Sequence, residues 1–214
     1  MKTELALTAA AGLVSYIAWQ LLRVSTVAFE SDFACDCGQV QGRVHTSAGL
    51  HIVCYCDDCQ AFANTLCAKE GRKAPSPLDE HGGTDLIQVF PADLVFTRGQ
   101  EHVEIGKLSD KSTLLRVHAS CCHTPLFNTM DDFAFLGLLT STLRSPDVNL
   151  GAPQYRIMAK FAKNANTLHA AHPNAVSIVP VGFVLAFFAR SLFWHRKKAH
   201  PSPLDASMRR APLA

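Results

Sequence analysis

With 214 residues the chain is long enough to bury a core of its own, so its 8 cysteines are not needed as the staples of a small secreted domain. A net charge of +2, with 18% charged and 48% hydrophobic residues, excludes a disordered chain and gives no ground for nucleic-acid binding. The length suits one domain with extensions.

Leu5 to Leu22 runs without a charge between Glu4 and Arg23. As a helix it would reach about 27 Å, against roughly 30 Å of bilayer hydrocarbon. Glu4, Thr8, Ala11 and Ser15 recur at helical spacing and draw a small or polar seam along it. A membrane anchor and a helix packed on the domain both stay open. A secretory signal fits poorly, because Ser25-Thr26-Val27-Ala28 is a weak cleavage site.

From Val27 the pattern changes to short strands and turns. Cys35-Asp36-Cys37-Gly38 brings the first pair of thiols. Sulfurs at i and i+2 converge only if the backbone turns, and Gly38 can supply that turn. Val40, Gly42 and Val44, then Leu50, Ile52 and Cys54, alternate as strands do. The densest stretch follows: Cys54-Tyr55-Cys56-Asp57-Asp58-Cys59 holds three thiols in six residues. Sulfur at that density cross-links or binds metal. Cys-x-x-Cys is the knuckle that sets two sulfurs about 2.3 Å from one tetrahedral zinc. An all-thiolate set suits zinc or an iron–sulfur cluster, and these spacings match neither common ferredoxin pattern, so zinc is the expected ion.

Gln60 to Lys69 reads as a short helix closing at Gly71. Cys67 on it is either a fourth thiolate for the central cluster or a small apolar residue. Pro75, Pro77 and Gly82-Gly83 mark a loop. Four strands follow, over Leu86–Phe90, Leu94–Thr97, His102–Ile105 and Ser112–Ala119, and deliver Cys121-Cys122. The fold expected is mainly β, a small antiparallel domain with apolar helical extensions at both ends. Phe133 to Leu143 is expected to be helical, and Asn149 to Pro173 a helix-and-loop connection. Val176 to Trp194 is apolar apart from Ser177, Arg190 and Ser191, with a helix from about Val181 and the basic run His195-Arg196-Lys197-Lys198 after it. A membrane-surface helix and a helix buried on the β domain both stay open. The Pro-containing end reads as a disordered tail. The chain thus divides into 1–28, 29–130, 131–175 and 176–214.

Cys35-Asp36-Cys37-Gly38 with Gly42, Cys54-Tyr55-Cys56 with Cys59, and Cys122-His123-Thr124-Pro125-Leu126 together resemble the glutathione-dependent formaldehyde-activating enzyme family, which includes centromere protein V. The last segment is similar to the family's Cys-Gly-Thr-Pro-Leu ending, and the resemblance covers roughly 29 to 130. It implies a β-tent, antiparallel sheets folded over zinc, with two metal sites. Cys35, Cys37 and Cys122 would hold a structural zinc, and Cys54, Cys56 and Cys59 a catalytic one. Spacing alone leaves other groupings open, Cys35 and Cys37 with Cys56 and Cys59 among them. Where the family supplies another cysteine this chain has Ala119; Cys121 is the substitute, ranked above His118 and His123. Where family members carry a basic residue after the third cysteine, this chain has Gln60.

The implied activity is that of a carbon–sulfur lyase adding a glutathione-like thiol to a small aldehyde such as formaldehyde. The alternative is a catalytically inactive, zinc-stabilised binding or scaffold module. Three thiolates on Zn²⁺ leave a net negative charge, to which Asp57 and Asp58 add; Arg72, Lys73, Arg98 and Arg116 are the candidates to offset it. His51 is close to the cluster in sequence, with a structural role expected. Thiols that hold metal point to the reducing, cytoplasmic side, with membrane contact through either apolar end still open and no nucleic-acid partner.

Overall fold

The computed structural model describes residues 10–19, 24–131, 133–205, 208–210 and 213. Helix α1 covers residues 10–19. Strand β1 (Val27–Ala34) turns into β2 (Gln41–Cys54), and α2 (Asp57–Cys67) follows the central cysteines. Then come β3 (Thr84–Val89), β4 (Leu94–Arg98), β5 (Val103–Gly106), β6 (Leu115–Ala119), β7 (Thr124–Thr129), β8 (Leu136–Leu139) and β9 (Tyr155–Ile157). Helices α3 (Ala165–Ala171) and α4 (Val181–Phe188) and strand β10 (Arg209–Arg210) complete the described elements.

The strands form one sheet in the order β1-β2-β3-β8-β7-β6-β5-β10, with β4 and β9 also paired to β2. Pairing is antiparallel except for β2 with β9 and β5 with β10. The mainly β, mainly antiparallel expectation holds. Strand β2 is the hub. Its first half pairs with β1 and β4, and Leu50–Cys54 pairs with β3. The two alternating runs seen in the sequence are therefore one 14-residue strand.

Both faces of the sheet are covered. Ile87, Val89, Leu115, Val117, Phe127 and Leu138 point into the larger core with Phe33 and Val44. Leu50, Ile52, Cys54, Leu86 and Leu139 face the other way, against Cys59 and Ile157. Each such fully buried side chain contributes roughly 1.5–3 kcal/mol relative to exposure.

Two expectations change. The apolar run Phe133–Leu143 is not a helix: Leu136–Leu139 is β8, buried along its whole length between β3 and β7. The sheet thus continues past residue 130, and β9 carries it into the supposed connection. The tail is not disordered where it is described: β10 lies beside β5, and Met208 and Leu213 are buried. No described helix is long and apolar enough to cross a membrane. Residues 5–9 and 20–22 of the N-terminal run lie outside the described residues. Val176, Val179 and Phe183 of the C-terminal run pack on the smaller core.

Candidate metal centres

The turn between β1 and β2 is built as Gly38 suggests. It takes a left-handed φ of 75°, where a side chain is strained, and the chain reverses so that Cys35 and Cys37 share one side. The Val40 amide donates to Cys35 Sγ at 3.3 Å. The turn between β6 and β7 brings Cys121 and Cys122 to the same point. Sulfur separations are 3.5 Å for Cys35–Cys37, 3.8 Å for Cys35–Cys121, 3.4 Å for Cys37–Cys121 and 3.9 Å for Cys121–Cys122. A disulfide needs about 2.0 Å. A tetrahedron of sulfurs about 2.3 Å from a central ion has edges of about 3.8 Å. The four thiols fit a closed four-coordinate site, and both adjacent cysteines reach it.

Asp36 ties the two turns together. Its carboxylate accepts from Thr124 Oγ1 at 2.7 Å and meets Arg72 at 3.3 Å and Arg144 at 3.7 Å. The two guanidiniums place positive charge beside thiols that would hold a metal as anions. Burial raises the Cys121 thiol. Burial also pushes the Cys122 thiol up, but its contacts with Thr124 and Cys37 outweigh this and bring it down to about 7.

Cys54, Cys56 and Cys59 form the second group, their sulfurs all within 4.8 Å of one another. Cys54 ends β2, Cys56 caps α2 in an extended conformation, and the Cys59 amide donates to the Cys56 carbonyl at 3.1 Å. Between them Tyr55 turns away from the group and is fully buried. Its hydroxyl donates to Asp79 and accepts from Arg156, each at 3.1 Å. Among the described residues no further Cys, His, Asp or Glu joins this group, and Cys67 stands outside it.

Arg116 on β6 reaches this cluster. It is 1% exposed, its Nη1 lies 3.7 Å from Cys59 Sγ, and its guanidinium sits 5.5 Å from the centre of the Phe62 ring. Asp58 is 4.0 Å away. Hydrogen bonds from Cys54 and Cys56, with Arg116 adding, hold the Cys59 thiol well below its ordinary pKa despite burial. Cys54 rises in turn, and Cys56 goes up to about 11.

The remaining candidates fall elsewhere. His51 bridges Asp85 at 2.8 Å and the Gly151 carbonyl at 3.0 Å, a structural role. Burial lowers its pKa, but Asp85 more than offsets this and leaves it raised. His118 is buried beside Glu104, and burial with the nearby His123 and Lys69 pushes it down to about 4. Neither His118 nor His123 joins a thiol group. His123 has a φ of 57°, in the left-handed region that favours glycine. Gln60 holds the Tyr55 and Phe161 carbonyls instead of facing a ligand. Of the four basic candidates, Arg116 meets the central group and Arg72 the outer one. Sequence reasoning missed Arg144 and Thr124; the one available signal was an acidic residue between two thiols.

A mainly antiparallel sheet that gathers seven thiols into two groups, each able to hold a metal ion, defines the kind of protein this is. The chain belongs to a family of unknown function (DUF6151), whose model matches residues 27–211. No curated protein matches it. Among solved structures it is similar to a Rhodobacter sphaeroides protein determined as a structural-genomics target. The two share 16% identity over 57% of this chain and 96% of that one, with a TM-score of 0.40.

Proposed function

We propose that this chain is a two-zinc protein of the glutathione-dependent formaldehyde-activating type, with the sheet acting as a β-tent over both ions. Cys35, Cys37, Cys121 and Cys122 hold a closed structural zinc, and Cys54, Cys56 and Cys59 a zinc with one position left for an outside thiol. The observation that carries this reading is the division of the cysteines into a group of four and a group of three. Four thiolates close a tetrahedral site, and three leave it open.

Zinc in the central group supplies a Lewis acid that lowers the pKa of a thiol taking its open position. The chain's own residues set the charge around that position. Three thiolates on a divalent ion leave one negative charge, and Arg116, buried against Cys59, cancels it. An anionic thiol can then enter without the repulsion that Asp57 and Asp58 alone would impose. In the reaction proposed, a sulfur–carbon bond forms as the thiol adds to a small aldehyde, and the thiol's proton ends on the carbonyl oxygen. His51 is held by Asp85 and Gly151 and takes no part in the proton transfer. The same thiols have to stay reduced, which puts the protein on the cytoplasmic side.

The test is zinc content by elemental analysis and glutathione binding by calorimetry, for wild type, Cys56→Ser and Cys67→Ser. Wild type and Cys67→Ser are expected to hold two zincs and to bind glutathione saturably, and Cys56→Ser to lose one zinc and the binding. Loss of metal in Cys67→Ser, or no glutathione binding to two-zinc protein, would make the central site closed and the chain a scaffold.

A further inference from the structure

Residues 181–193 are buried with a helical period but have the wrong chemistry for a surface helix in water. Gly182, Ala186 and Arg190 are buried, four residues apart, so one face turns to the sheet. The only polar side chains between Val181 and Phe193 are Arg190 and Ser191, and both turn inward, at 2% and 1% exposed. Arg190 donates to the Ala48 carbonyl and lies over the Phe90 ring. The outward face is Val181, Val184, Phe188, Leu192 and Phe193. Of these Val181 is 59%, Leu192 44% and Phe193 78% exposed. Water selects the opposite arrangement. An outward apolar stripe on an anchored helix marks an apolar neighbour.

The charge pattern identifies that neighbour. From Val148 to Leu204 the chain has no Asp or Glu and carries seven Lys and Arg. Arg196 and Lys197 follow the stripe directly and are exposed, while Lys198 is held by Asp93 at 2.9 Å. A second copy docking face to face would oppose like charges across a two-fold axis. An anionic lipid surface instead takes the apolar side chains into its headgroup boundary and attracts the cations, at about 1 kcal/mol for each near the surface. The segment is too short to span, so it lies along the interface. Residues 10–19 add a second exposed apolar helix, with Leu13, Val14, Tyr16 and Trp19 outward.

We infer that the outer face of α4 and the turn after it is a peripheral docking surface for an anionic bilayer. The inner side of the same helix, through Phe183, packs on the core that contains Cys54 and Cys59. The docked face therefore lies one helix thickness, about 10 Å, from the central thiols.

The full chain would be floated with phosphatidylcholine vesicles, with and without roughly 30% phosphatidylglycerol. Amide hydrogen exchange would be followed in the same samples. Wild type should float with the anionic vesicles, less so in high salt, and gain protection over residues 181–197. Leu192→Glu with Phe193→Glu, at exposed positions, should leave the thermal melt in buffer unchanged and lower vesicle affinity at least about tenfold. Arg196→Glu with Lys197→Glu should abolish the preference for anionic lipid. The proposal is overturned by no flotation, or by flotation unchanged in both variants with residues 181–197 unprotected. It is overturned equally by protection of that segment in a lipid-free, concentration-dependent dimer.

Discussion

Arg116 shows how a single side chain changes what a thiol cluster can do. A guanidinium with 1% exposure is stable only against a compensating negative charge, and its acidic neighbour Asp58 is mostly solvent-exposed at 4.0 Å. The thiolates of the central group are the better partner. Arg116→Met is therefore expected to destabilise the zinc-loaded protein by about 3 kcal/mol, because it leaves a buried negative charge unpaired. In a Cys54→Ser, Cys56→Ser, Cys59→Ser background the same change should cost little or stabilise, since no anion remains to balance. Denaturant melts of the four proteins form a double-mutant cycle, and additive costs would show that Arg116 does not serve the cluster. Cysteine spacing made the thiols legible in the sequence, whereas Arg116 was one of four equivalent candidates. Nothing local separates it from Arg98; only its contact with Cys59 and Phe62 of α2 does. His123 is the converse case. Its φ of 57° lies in the left-handed region that favours glycine, which its own side chain does nothing to announce.

At the scale of elements, alternation was readable wherever one face of a strand differs from the other, and lost wherever both are buried. Gly42, Val44 and Thr46 are buried in alternation with exposed Arg43, His45 and Ser47, which made the first half of β2 readable. Leu136-Gly137-Leu138-Leu139 carries no alternation, because β8 is covered on both faces, and a short apolar run of that kind looks the same as a helix segment. The crossing of β1, β2 and β4 hinges on a residue whose role is visible only in three dimensions. A Cβ on Gly42 would overlap both the Phe33 ring and the Val95 carbonyl, one from each neighbouring strand. The backbone carbonyl cannot give way without breaking the β2–β4 ladder. Gly42→Ala is thus expected to cost about 2–3 kcal/mol, typical of overpacking in a filled core, with thermal denaturation as the measure. Gly71→Ala, with open space around it but a φ of 86°, is the control for backbone strain alone and should cost about 1 kcal/mol. Equal costs would remove the packing argument.

Across the whole molecule the two thiol groups differ in what they close. The central group lies within six consecutive residues, so an ion there constrains almost nothing that the unfolded chain does not already hold close. The outer group joins the β1–β2 turn to the β6–β7 turn, with 84 residues separating Cys37 from Cys121. Between those two hairpins in the sheet lie β3 and β8. Closing a loop of that length removes unfolded-state entropy worth about 4 kcal/mol, by the same reasoning that applies to a disulfide. Cys121 and Cys122 are part-buried at the β6–β7 turn and are the only thiols it contributes to the group. Cys121→Ser with Cys122→Ser leaves that turn without a thiol ligand and is accordingly expected to lower the stability of zinc-loaded protein by about 4 kcal/mol, or about 10 °C in Tm for a chain of this size. After metal is stripped with a chelator, wild type and the double variant should melt within about 1 kcal/mol of each other, since neither then has the loop closed. A cost that is the same with and without metal would mean that the two cysteines act through packing, and that the two turns are held together by Asp36, Thr124 and their arginines without an ion.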